Sequence, residues 1–106
     1  MRIISSQHFL DMGIVQNKIN TISDAKFVEI LCYDIGEIDG EEMAIMADGH
    51  HTMAAARDLG IDIRFVFCPD PDGLTGLAAL DARWLDGDWY DVTASDPAIG
   101  KFDLIW

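Results

Sequence analysis

Positive charge is what this chain has least of. Its 106 residues hold 7 Lys and Arg against 19 Asp and Glu, a formal net charge of −12. Affinity for a phosphate backbone comes largely from basic side chains displacing counterions, so direct nucleic-acid binding is not expected. The acidity fits a soluble enzyme, a small-molecule binder or a protein that docks on a basic partner. No apolar run approaches the roughly 18 residues that a membrane-spanning helix needs. The opening Met1-Arg2-Ile3-Ile4-Ser5-Ser6 lacks the long apolar stretch of a cleaved signal, which makes cytoplasmic residence the expectation.

Cysteine is also scarce. Cys32 and Cys68 lie in apolar runs, outside any CxxC pair and away from a clear helix start. They read as buried, reduced thiols, with a disulfide or redox pair as the alternative. The 3 prolines and 9 glycines are scattered as punctuation, and there is no repeat or low-complexity segment. Half the residues are hydrophobic, enough for one real core, so residues 1–106 are read as a single domain.

The pattern predicts an α+β fold, a small mixed β-sheet with a motif helix and a second helix packed on it. Residues 1–6 read as an opening strand, followed by an irregular or partly helical stretch to about Asp24. Lys26 to Ile35 and Glu42 to Ala47 read as strands, joined by a tight turn at Asp39-Gly40. A helix from Gly49 to Leu59 follows, with Asp48 as N-cap and Gly60 as the left-handed residue that ends it. Ile61, Ile63, Phe65 and Phe67 alternate with Asp62, Arg64 and Val66 as in a half-buried strand. After a turn at Pro69-Asp70-Pro71-Asp72-Gly73, a helix is expected from Leu74 to Leu85. Leu77, Leu80 and Trp84 would form its core stripe. Asp88 to Ala94 and Lys101 to Trp106 read as short strands around Ser95-Asp96-Pro97, with Trp106 packed.

Potential chemistry concentrates at residues 48–52. The first N–H groups of a helix lack internal partners and point outward toward an anion, and Gly49 has no side chain to hold one off. The candidate anion-binding residues are therefore Gly49, His50, His51 and Thr52. The helix start disfavours a charged imidazole, so His50 and His51 lean neutral, fit for general base or hydrogen-bond work. With Asp48 they are the candidate catalytic residues. Adjacent histidines project roughly 100° apart on a helix, so one ion is not expected to bind both. A metal would need one of them with Asp48 and distant ligands such as Asp34 or His8. The alternative is structural, with one histidine a buried hydrogen-bonded wedge and the other exposed.

The run Asp48-Gly49-His50-His51-Thr52-Met53-Ala54-Ala55-Ala56-Arg57-Asp58-Leu59-Gly60 resembles the signature of the ParB/sulfiredoxin-like superfamily. Members carry Asp-Gly-His-His-Arg or Gly-Glu-Arg-Arg and then a small-residue helix closing on Leu-Gly. The order of elements agrees over roughly residues 1–68, while residues 74–106 form a C-terminal helix and strand extension without a counterpart. The resemblance implies a stand-alone member, of bacterial or phage context, whose motif helix handles phosphate. His50 stands where sulfiredoxins carry their cysteine, which argues against that chemistry. The partition proteins' separate helical DNA-binding domain has no room here. Thr52 stands where the family usually has arginine, and a hydroxyl replaces neither its charge nor its bidentate reach.

Two functions follow as expectations. One is a binding or accessory protein with a remnant phosphate-type site, its partner a basic protein or a small phosphorylated ligand. The other is a small phosphate-site enzyme (a nucleotide hydrolase, nuclease or phosphotransferase) using His50 and His51. A nucleotide, or Mg²⁺ held by Glu29 or Asp34, would be its cofactor, with Arg57 or Arg64 as the nearest cation in sequence.

Overall fold

A computed structural model describes residues 2–92 of the chain. In chain order its elements are β1 (Arg2–Ser5), α1 (Met12–Ile22), β2 (Phe27–Ile38), β3 (Glu41–Met46), α2 (His50–Leu59), β4 (Asp62–Pro69), α3 (Gly76–Arg83) and β5 (Tyr90–Asp91). The five strands make one mixed sheet in the order β4-β2-β3-β1-β5. β1 runs parallel to β3 and β4 parallel to β2, while the β2–β3 and β1–β5 pairs are antiparallel. The α+β expectation of a small mixed sheet carrying helices is therefore met.

The β2–β3 hairpin turns at Asp39 (φ 54°) and Gly40 (φ 81°), both left-handed as a two-residue turn of this kind requires. Both strands differ at their ends from the sequence expectation, because the turn is tight enough for pairing to run on to Ile38↔Glu41. The stretch before Lys26 is more regular than expected. Asp11 caps α1, its Oδ1 accepting from Gly13 N at 2.8 Å and Ile14 N at 3.3 Å.

Alternation along β2 sends Val28, Ile30 and Cys32 to one face, where they meet Ile3, Ala44 and Met46 of the sheet with Met53 and Ala56 of α2. Ala55 and Ala56 are fully buried, the small side chains letting α2 lie close. A register shift between Asp34 and Gly36 re-aims the strand, and Ile35 joins Ile4, Met43, Ile45 and Ala79 on the opposite face, beneath α3.

α3 corrects one expectation. Leu77 is 71% exposed and Trp84 55% exposed, so of the expected Leu77/Leu80/Trp84 stripe only Leu80 packs against the core. The helix spans only Gly76–Arg83 and turns Ala79 inward. Arg83, one turn on from Ala79, reaches the buried Asp70 through two bonds of 2.8 and 3.0 Å and Asp72 through a third of 2.8 Å. This fork holds the Asp70–Gly73 turn against the helix and fixes the helix's rotation, leaving Leu77 outward.

Both cysteines are free. Cys32 is buried, its thiol pushed up to about 12 by burial, while Cys68 is only half-buried rather than buried as expected. Cys32 is paired with Phe67 and Tyr33 with Cys68, so the two sulfurs lie on opposite faces of the sheet and no bridge joins them. The expected strand from Asp88 is seen as Tyr90–Asp91 against β1. The expected features at Ser95-Asp96-Pro97, Lys101–Trp106 and Trp106 lie outside the described residues.

Candidate functional site

Because β1 and β3 are parallel, their C-terminal ends emerge side by side, and α2 begins where β3 stops. Gly49, not Asp48, is the N-cap residue of α2, a correction to the sequence reading. Gly49 sits at φ 90°, where a side chain is strained, and a Cβ there would approach Ile30 Cδ1 to 2.9 Å. That geometry turns the Asp48 carboxylate away from the helix donors, so Oδ1 accepts instead from Gly49 N at 2.7 Å. The first α2 donor with a partner is Met53 N, bonded to Gly49 O at 2.7 Å. The N–H groups of His50, His51 and Thr52 have no protein acceptor among the described residues.

The two imidazoles have different surroundings. His50 is 3% exposed, and its Nε2 shares a hydrogen bond of 2.6 Å with Ser5 Oγ, itself buried at the end of β1. Burial lowers the His50 pKa to about 4 against the nearby carboxylates of Asp48 and Asp86, so the ring is neutral near pH 7. Ser5 Oγ also accepts from Gln7 N at 3.1 Å, and the Tyr90 hydroxyl, bonded to the same Ser5, donates to Gln7 O. Burial pushes the Tyr90 phenol up to about 12, so it too stays neutral.

His51 is half-buried and turned toward α1, its Nε2 accepting from Asp11 N at 3.1 Å. It thus ties the start of α2 to the N-cap of α1. His8 serves the same end of the molecule, with Nε2 donating to Asp88 O at 2.7 Å and its ring edge-on to Tyr90. A side chain at Gly87 would overlap the His8 ring, which is why the chain passes there as glycine.

Each histidine therefore fastens one loop. Ser5 and His50 have the spacing of a hydroxyl nucleophile and its base, and both are buried. No family model, curated protein or solved structure matches the chain.

The remaining candidates are dispersed. Arg57 leaves the far end of α2, its Nη2 donating to Val92 O at 2.7 Å. Arg64 pairs with Asp62 and lies 3.8 Å over the Phe27 ring. Glu29 shares a sheet face with Phe27 and Leu31, opposite the Ile30 face that Gly49 meets. Asp34 borders Phe67, Cys68 and Pro69 instead. Among the described residues no group of three or more His, Cys, Asp or Glu is placed to hold a metal.

Sequence reasoning missed Ser5, Gln7, Tyr90, Asp11 and Asp86 as parts of this corner. All five belong to segments distant from the motif, and the strand pairing of β1 with β3 and β5 brings Ser5, Gln7, Asp86 and Tyr90 in. Asp11 left a readable signal, standing three residues before Ile14 at an apolar helix start.

Proposed function

We propose that the protein is a non-catalytic binding or accessory protein, a stand-alone relative of the ParB/sulfiredoxin-like superfamily that docks on a basic partner. The observation that carries this reading is the engagement of both motif histidines in the fold. The ring best placed as a base is 3% exposed and bonded to Ser5, and the second accepts from Asp11 N. The charge of −12 supplies the attraction to a basic partner.

A second reading has one observation in its favour. Three helix N–H groups remain without a protein acceptor after Gly49 among the described residues, so α2 keeps the donors of a phosphate-type site. Two carboxylates, however, Asp48 and Asp86, already act on His50 beside those donors. A dianion there would need an added cation to offset them.

The test is capture on the immobilised chain followed by stepwise salt elution. The expected result is a defined basic protein that binds the wild type and leaves at moderate salt. It should bind His51→Gln equally well. Capture of nothing above an equally acidic control protein would refute the reading.

A further inference from the structure

β4 is an edge of the sheet, paired with β2 along its length and with no other described strand. Edges of this length are usually blunted by a bulge, an internal proline or outward charge. β4 keeps an unbroken register with β2, and its one proline, Pro69, closes it. Its ionic pair, Arg64 with Asp62 at 3.4 Å, lies near the N-terminal end. From Phe65 to Cys68 the edge is uncharged, and Val66 and Phe67 are 39% and 44% exposed. Leu31, paired with Val66, is exposed beside it, on the face opposite Phe67.

Four exposed carboxylates rim this strip, Glu29, Asp34, Asp62 and Asp72, against two cations, Arg64 and Arg83, that pair with Asp62 and Asp72. At its C-terminal end Asp34, Phe67, Cys68 and Pro69 line an open recess of about 290 Å³. The bulge that follows Asp34 anchors its carboxylate, Oδ1 accepting from Gly36 N at 3.0 Å. An apolar wall ending in a fixed carboxylate suits a long basic side chain, stem on Phe67 and Pro69 and head on Asp34.

We propose that β4 accepts an extended basic segment of a partner protein as an added strand, with a Lys or Arg of that segment in the Asp34 recess. The inference rests on the basic-partner reading and names its surface. Backbone pairing along this edge supplies affinity, and the side chains at alternate positions supply selectivity. The same charge that attracts a basic segment repels a second copy of this chain from the edge.

The probe is a labelled peptide of alternating valine and lysine, followed by fluorescence anisotropy and amide hydrogen exchange on the full chain. Expected are saturable binding that weakens with salt and slowed exchange between Ile63 and Cys68. An isomer of equal charge with a central proline should bind about tenfold more weakly or worse. Asp34→Asn, which keeps the oxygen that accepts from Gly36, should weaken binding several-fold, and Val66→Lys about tenfold. Leu77→Lys on α3 should leave it unchanged.

Equal affinity for the proline isomer, without protection of β4, would mean adhesion by charge alone and overturn the proposal. Sedimentation showing a dimer that Val66→Lys dissolves would assign the edge to a second copy and overturn it too. A natural basic partner held equally by wild type and Val66→Lys would refute this surface while leaving the proposed function standing. Peptide binding at β4 without any salt-sensitive natural partner would do the reverse.

Discussion

His50 Nε2 and Ser5 Oγ lie 2.6 Å apart, joined across 45 residues of chain and buried where β1 ends and α2 begins. This bond turns the most reactive-looking position of the sequence into a joint between two elements. Gln7 and Tyr90 close the remaining sides of the hydroxyl.

Removing the ring should therefore cost stability. His50→Ala takes one of its partners from a buried hydroxyl and opens a void beneath α2, an expected loss of about 2–4 kcal/mol. Urea denaturation checks it. A midpoint unchanged from wild type would show that the bond contributes nothing.

The same residue gives a signed pH dependence. The folded pKa of about 4 lies below the ordinary 6.5, so between these values the unfolded chain binds the extra proton. Stability from His50 is whole above about pH 6.5 and falls as the pH drops toward 4, by on the order of 3 kcal/mol. Carboxylate titration adds its own slope, so the quantity to measure is wild type minus His50→Asn at each pH. A difference that stays flat from pH 7 to 4 would contradict the assignment.

Gly49 should resist substitution. Gly49→Ala forces a side chain into a left-handed backbone and against Ile30 Cδ1, an expected loss of about 1–3 kcal/mol. Gly40→Ala, also left-handed but facing open space, should cost less. Thermal melts of the two variants give the comparison, and equal losses would remove the role of Ile30.

The rotation of α3 is open to a similar contrast. Leu77→Gln, on the outward side, should change stability by no more than about 0.5 kcal/mol. Ala79→Leu should cost about 1–3 kcal/mol, because Ala79 is fully buried against the sheet. The opposite order would restore Leu77 to the core.

Periodicity and turn chemistry made much of the fold legible. Asp39-Gly40 announced its hairpin, Gly60 ended α2 as a left-handed residue, and Ile63 and Phe65 alternated as strand residues do. α3 misled because its apolar stripe competes with the Arg83–Asp70 fork, a tertiary contact invisible to helical spacing. The site was legible as a place but not in its wiring. His50 and His51 are neighbours in sequence, yet one turns to Ser5 and the other to Asp11, and the sheet order decides which. Asp48 read as an N-cap because capping residues usually stand before a glycine-free helix start, whereas here Gly49 takes that position.

The most direct test is nucleotide consumption by the purified chain, followed by phosphate release across a nucleotide panel with and without Mg²⁺. With His50 sealed against Ser5 and His51 held on Asp11, no turnover above a protein-free blank is expected. Turnover that requires the chain and disappears in His51→Gln, while its melting temperature holds, would contradict the account.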